Sequence, residues 1–178
     1  MVTDRPSFRN SARLIAPGVV QLETGWHLHD DRAPAESNLF GAEPALRLGT
    51  TAWLELRLRI QECILRSRRV VANEDPPAGC ADLEPGVKLR LLQAKSGTSL
   101  AAILKMVAPT GHHSQTGGGY EPGFEMIWEQ EAPLGFSAGG TVNASRLHHD
   151  DEIVWQKAAS VSMSHQISGK FESFGEIM

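Results

Sequence analysis

The segment that decides the fold reads Glu-Pro-Ala-Leu-Arg-Leu-Gly-Thr-Thr-Ala-Trp-Leu-Glu-Leu-Arg-Leu-Arg-Ile-Gln, from Glu43 to Gln61. Its second half alternates strictly: Leu54, Leu56, Leu58 and Ile60 are apolar, and Glu55, Arg57, Arg59 and Gln61 are charged or polar. Successive side chains of a β-strand point to opposite faces, so the pattern predicts a strand with one apolar and one charged face. The residues before Gly49 alternate as well, and the two runs predict a β-hairpin.

Two environments would satisfy this hairpin. In a soluble protein the leucines would form the core and the charges would face water. In a membrane β-barrel the leucines would face lipid and the charges would line a lumen. The two alternatives differ in which set of side chains is exposed: Leu54, Leu56 and Leu58, or Glu55, Arg57 and Arg59.

Length and composition limit the class of protein. We treat 1–178 as a single β-barrel domain with an irregular N-terminal segment at 1–17, and we expect it to be incomplete at both ends. The net charge of −4 and the lack of a basic run predict no nucleic-acid partner. No run of 18 apolar residues exists, which excludes a transmembrane helix, but barrel strands never produce such runs. No signal peptide is visible.

The period of two continues along the chain and predicts nine strands. The strands outside the hairpin are expected near 19–30, 83–93, 99–108, 120–130, 136–147, 153–164 and from 171 onward. Short turns are predicted at 50–51, 94–97, 131–135 and 166–170, and long loops at 31–41, 62–81 and 109–119; the connection at 147–152 is of intermediate length. Short turns at one rim and long loops at the other are typical of outer-membrane barrels. The fold prediction is therefore all-β, an antiparallel up-and-down meander that forms a partial outer-membrane β-barrel.

Aromatic side chains lie near both ends of the predicted strands. Trp128 and Phe136 lie near short turns, Trp26 and Trp155 lie near long loops, and all four belong to the apolar set. This placement indicates the two interfacial girdles of a membrane barrel, although ordinary core packing is the alternative. Trp53 and Lys157 do not fit their strands' alternation, which a bulge would explain.

Short motifs follow one another in a fixed order along the chain. They are Thr3-Asp4-Arg5-Pro6-Ser7-Phe8, Gln21-Leu22-Glu23-Thr24-Gly25, Leu54-Glu55-Leu56-Arg57-Leu58, Gly79, Asp82-Leu83, Gly86, Lys88, Pro109-Thr110-Gly111 and Phe171-Glu172…Phe174-Gly175. Together they resemble the outer-membrane transporter family called "MetA-pathway of phenol degradation", over essentially the whole chain. The resemblance implies a β-barrel in a Gram-negative outer membrane, with membrane lipid around it and a hydrophobic or aromatic solute. Family members are longer and carry a leader, so this sequence is expected to be a fragment.

The charged set supplies the candidate lumen-lining residues. They are Glu23, Arg47, Glu55, Arg57, Arg59, Lys88, Arg90, Lys105, Glu125, Glu129, Glu172 and Glu176. Basic residues come mainly from strands two to five and acidic ones from strands six and nine, which would place a basic wall opposite an acidic wall. Alternatively, the charges pair and fill the interior. Ile103, Val107 and Ile127 are the apolar candidates on this face.

Histidines and cysteines offer further chemistry. His27, His29, His148 and His149, with Asp150 and Asp151 nearby, are weak candidates for a zinc site, and solvated loop histidines are the alternative. Cys63 and Cys80 could form a disulfide in an oxidising compartment or stay reduced in the cytosol. No catalytic motif occurs, so we expect neither an enzyme nor a cofactor.

The sequence thus predicts a passive channel or transporter for small, aromatic or hydrophobic compounds. The alternatives are a soluble β-barrel that binds an apolar ligand, and a structural outer-membrane barrel without transport. The oligomeric state stays open.

Overall fold

The computed structural model describes residues 10–31, 37–69, 79–112, 116–149, 152–168 and 171–177. Within these ranges the chain is almost entirely β. The strands are β1 (Val20–Asp31), β2 (Ser37–Gly49), β3 (Leu54–Ile60), β4 (Cys63–Arg69), β5 (Gly79–Cys80), β6 (Leu83–Gln93), β7 (Thr98–Val107), β8 (Glu121–Glu131), β9 (Phe136–His149), β10 (Glu152–Ser168) and β11 (Phe171–Ile177). A 3-10 turn at Pro133–Gly135 joins β8 to β9. None of the described residues form a helix long and apolar enough to cross a membrane.

All strands belong to one antiparallel sheet in which most chain neighbours pair; β3 with β4 and β5 with β6 are the exceptions. β1 pairs with one edge of β2 along its whole length. Along the other edge of β2, residues 45–49 pair with β3 and residues 37–42 pair with β4. β5 and β6 follow one another in the same way beside β4 and β3. The eleven segments therefore occupy nine positions, and the predicted all-β up-and-down meander is confirmed. The sheet is open among the described residues, as expected for part of a barrel.

Three predicted loops are wrong in part, because strand pairing continues into them. Residues 37–40 of the expected loop at 31–41 belong to β2, and 63–69 of the expected loop at 62–81 form β4. His148 and His149, expected in a loop, lie at the end of β9. Backbone hydrogen bonds to a neighbouring strand hold these segments in extended conformation. Such bonds do not require alternating apolar side chains, so the side-chain pattern does not reveal them. A register shift between Phe40 and Gly41 also interrupts the pattern.

The sheet has two faces of opposite character. We call the face against which residues 10–17 pack the inner face, and the opposite one the outer face. On the outer face, Leu56 and Leu58 are 41% and 40% exposed. On the inner face the largest fully buried polar side chains are Arg47, Glu55 and Lys88, each with 0% exposure. The inner face therefore carries the buried charges, and the outer face carries exposed leucines.

Aromatic rings lie on the outer face toward both rims. Trp26 and Trp155 are exposed near one rim, and Trp128 and Phe136 are exposed near the other. Trp26 stacks on the ring of Phe40 across the β1–β2 pair, with centroids 5.5 Å apart. Trp53, which did not fit the alternation, precedes β3 in the turn, where strand periodicity does not apply.

A disulfide joins β4 to β5. Cys63 and Cys80 are direct partners across the two strands, and their Sγ atoms are bonded. The two cysteines that it joins are 17 positions apart in the sequence. It holds the short strand β5 against β4, where only two residue pairs form the ladder.

We expect reduction of this disulfide to lower the stability of the protein. Closing a loop of this size lowers the conformational entropy of the unfolded chain, and this stabilises the folded state by about 3 kcal/mol. Urea unfolding with and without a thiol reductant measures the loss, and the Cys63→Ser/Cys80→Ser variant should be insensitive to reductant. Equal midpoints for the oxidised and reduced wild-type protein would contradict the expectation.

Candidate functional site

The inner face forms rows of side chains that cross several strands. One row runs Glu55, Lys88, Ile103, Glu125 and Asn143, because each residue is the register partner of the next. Three of its five positions carry formal charge. The Cβ atoms of cross-strand partners on one face lie about 5 Å apart, so neighbouring side chains in this row are close enough to interact.

Arg47 is the centre of the most buried ionic network. Its Nε and Nη2 atoms donate to both carboxylate oxygens of Glu55, at 2.7 and 3.0 Å. Its Nη1 atom donates to Glu23 at 2.8 Å. A bidentate guanidinium–carboxylate pair is the strongest arrangement available to these groups, which offsets part of the cost of removing them from water.

A second network joins β3, β6 and β7. Glu84 accepts a hydrogen bond from Arg59 Nη2 at 3.1 Å, and its carboxylate forms an ion pair with Lys105, whose Nζ lies 3.2 Å away. Lys105 lies over Gly123, where an added Cβ would come within 2.9 Å of its side chain. Glu84 was missed from the predicted set, although it has the same alternation as Lys88 and Arg90.

The N-terminal segment, residues 10–17, crosses this charged surface. The end of the segment passes over Gly49, where an added Cβ would lie 2.1 Å from the carbonyl oxygen of Ala16. Gly18 N donates to Gly49 O at 2.7 Å, which fixes the end of the segment to the sheet. Glycine at position 49 therefore permits the backbone of the segment to pass directly over β2.

Polar groups of the N-terminal segment bind the buried charges. The amide of Ile15 donates to Glu55 Oε2 at 3.0 Å, and Lys88 Nζ donates to the carbonyl of Arg13 at 2.9 Å. The Asn10 side chain donates to both oxygens of Glu125, at 3.0 and 2.9 Å, and accepts from Arg57. Arg13 also forms an ion pair with Glu131. These residues belong to no strand pattern, so their role could not be predicted from side-chain alternation.

Apolar side chains of the same segment cover an apolar patch on β7 and β8. Ala12 and Leu14 form a buried cluster whose other members are Ala101, Ile103 and Ile127. Ile103 and Ile127 were two of the three apolar candidates on this face, and Val107 is buried as well. Full burial of one leucine-sized side chain contributes roughly 1.5–3 kcal/mol.

A cavity of about 190 Å³ lies beside Asn10. Residues from β3 to β9 line it, and its wall includes Arg57, Glu84, Lys105 and Glu125. Its lining is mostly polar, and it lies against the N-terminal segment on the inner face.

The candidate lumen residues occupy a common face. Glu23, Arg47, Glu55, Lys88 and Glu125 are buried, while Arg57, Arg59, Arg90, Lys105, Glu129 and Glu176 are half-buried. The side chain of Glu172 lies outside the described residues. Neighbouring strands bring opposite charges together in both networks, so the contacts favour paired charges over a basic wall opposite an acidic wall.

The candidate zinc ligands do not form a cluster among the described side chains. His27 Nε2 lies 2.7 Å from Glu62, and the amide of His148 donates to Glu121 at 2.8 Å. Among the residues that the structure describes, no three potential metal ligands lie close enough together to hold an ion. The side chains of His29 and His149, and residues Asp150 and Asp151, lie outside this part of the chain.

Asp82 fixes the loop that follows β7. Burial by itself would raise the pKa of its carboxyl group, but hydrogen bonds from Gly111, Gly117 and Thr116 outweigh burial and lower the pKa below its ordinary value. The loop is thereby tied to the start of β6.

No protein-family model, curated protein or solved structure matches the chain. The resemblance to the phenol-degradation transporter family therefore stays a prediction.

We expect Arg47→Met to destabilise the protein by about 3–5 kcal/mol, because two buried carboxylates lose their guanidinium partner. Arg90→Met is the matched control: Arg90 belongs to the same face, and no ion pair of its side chain is described. Its loss should cost less than about 1 kcal/mol. Urea unfolding measures both variants, and similar losses would argue against the Arg47 network.

We expect the amides of Gly111 and Gly117 to lose protection from hydrogen exchange as the pH falls through the lowered pKa of Asp82. A carboxyl group with a lowered folded-state pKa stabilises above its unfolded-state value, near pH 4, and loses that contribution on protonation. In Asp82→Asn the protection should be weaker, with no step below pH 4. The amide of Gly97, bonded to Ala94, is the internal control. A persisting step in the variant would contradict this account.

Proposed function

We propose that the chain is part of a Gram-negative outer-membrane β-barrel that lets small solutes diffuse across the bilayer. The observation that supports this most directly is the inverted sheet, with exposed leucines outside and ionisable groups buried inside. Lipid solvates apolar side chains, whereas a lumen or a polar filling solvates charges.

The outer leucines form a continuous surface across three strands. Leu46 pairs with Leu58 and with Leu22, and Leu48 pairs with Leu56 and with Val20. All six are between 37% and 70% exposed. Soluble monomers rarely expose apolar patches beyond a few hundred Å². The surface therefore argues against the soluble alternative, in which the leucines would be the core.

The outer aromatic rings support the same proposal. Rings of Trp26 and Trp155 at one rim, and of Trp128 and Phe136 at the other, match the two girdles that anchor membrane barrels. The bonded cysteines are also compatible with an oxidising compartment.

A structural barrel without transport is the second candidate. It is favoured by the N-terminal segment, which fills part of the inner face, and by the pairing of the charges. Swelling of protein-containing vesicles in small solutes separates the two, because only a channel accelerates swelling.

The membrane location is tested with single cysteines at neighbouring positions of β9. Val142 is 59% exposed on the outer face, and Asn143 lines the inner cavity. Because Cys63 and Cys80 are bonded to each other, the introduced cysteine is the one free thiol. Neither wild-type side chain carries a charge.

In lipid vesicles, a fluorophore on Val142→Cys should be quenched by nitroxide-labelled lipid. The thiol of Asn143→Cys should react with a water-soluble maleimide, and its fluorophore should escape the lipid quencher. If both positions respond alike to lipid, or if position 142 is protected from both reagents, the outer face does not contact the bilayer and the proposal is wrong.

A further inference from the structure

The N-terminal segment lies on the part of the inner face best suited to an apolar ligand. We propose that Ala101, Ile103 and Ile127 form a binding site for a small uncharged solute with an apolar body and a hydroxyl group, and that residues 10–17 are an internal competitor that occupies the site until such a solute displaces them. This inference rests on the proposed function and adds to it a site, a ligand class and a means of closure.

The site is an apolar patch within a polar surface. Ala101 and Ile127 are register partners, and Ile103 is the next inner-face residue on β7. All three are at most 3% exposed, because Ala12 and Leu14 cover them. Without that cover, the patch would gain free energy by binding another apolar group.

The groups beside the patch define the polar part of the ligand. Lys88 and Glu125 are the two register partners of Ile103, so a donor and an acceptor flank the patch. At present Lys88 donates to the carbonyl of Arg13, and Glu125 accepts from the Asn10 amide. A ligand that removes these contacts must replace at least one, since a buried polar group without its partner is costly. A hydroxyl group can serve either residue, because it both accepts and donates.

The N-terminal segment is held without a backbone ladder over most of its length. Residues 10–16 form no strand or helix. Backbone bonds to the sheet are concentrated at its end, where Gly18 and Val19 meet Gly49, whereas the contacts nearer Asn10 involve side chains. Segments held in this way open at lower free energy than sheet strands. The cavity beside Asn10 provides room from which a solute reaches the patch.

The test follows the burial of position 12. Ala12 is 2% exposed, and Ala12→Cys adds one sulfur atom and the one free thiol. In detergent solution we would measure the rate at which this thiol reacts with a water-soluble maleimide, with increasing 1-naphthol as the probe. We expect a saturable rise of about tenfold, which corresponds to ~1.4 kcal/mol of preference for the displaced state.

Two further substitutions locate the effect. In the Ala12→Cys protein, Ile103→Ser should abolish the saturable rise, because it replaces an apolar side chain of the patch. Leu104→Ser, its outer-face neighbour, should retain the rise. Leu14→Cys, 5% exposed in the wild type, provides a second reporter should Ala12→Cys perturb folding.

A rate unaffected by 1-naphthol for both reporters would overturn the proposal. So would a rise that persists in Ile103→Ser, because 1-naphthol would then act somewhere other than the patch. The assay needs no bilayer, so its failure is distinguishable from failure of the proposed function, which the labels at positions 142 and 143 test separately.

Discussion

Burial of the ionised pair between Arg47 and Glu55 is the interaction on which the rest of the structure depends. Both side chains have no exposure, and the guanidinium also binds Glu23. Charges removed from water are tolerated only when nearly every donor and acceptor has a partner. The sheet provides partners by placing opposite charges on adjacent strands, and the N-terminal segment adds the amide of Ile15 for Glu55 and the carbonyl of Arg13 for Lys88.

The same arrangement determines the character of the outer face. Because alternate residues of a strand point to opposite sides, a strand whose charged side chains lie on the inner face has its leucines on the outer face. A register slip of one residue would exchange the two sets and leave Arg47 and Glu55 unpaired. The ionic network therefore specifies the register of β1, β2 and β3, and the exposed leucine surface is its consequence.

The N-terminal segment links stability to function. It contributes hydrogen bonds to buried charges, and Leu14 completes the apolar cluster with Ile103 and Ile127. The surface that it covers includes the apolar cluster of Ala101, Ile103 and Ile127 on the inner face. A segment that both stabilises the closed form and occupies the patch would couple solute binding to opening, because a solute that competes for the patch shifts the population of the displaced state.

The sequence predicted the parts of this structure that depend on local periodicity. Strict alternation at 54–61 identified a strand and divided its side chains into the two observed sets, and the aromatic positions followed. It did not predict the strand residues 37–40 and 63–69, since these are extended by a neighbouring strand and interrupted by a register shift. The roles of Asn10, Arg13 and Leu14 were also missed, because they depend on contacts with residues distant in sequence. Arg13 and Lys88 are 75 positions apart, and Asn10 and Glu125 are 115 positions apart.

The central claim is that the outer face contacts lipid, and the native tryptophans test it most directly. Three of the four, Trp26, Trp128 and Trp155, lie on the outer face, Trp53 lies in the turn before β3, and all four are exposed without substitution. In vesicles of brominated lipid, we predict strong quenching of the tryptophan fluorescence and weak quenching by aqueous acrylamide. Strong quenching by acrylamide with no effect of brominated lipid would place the outer face in water and contradict the account.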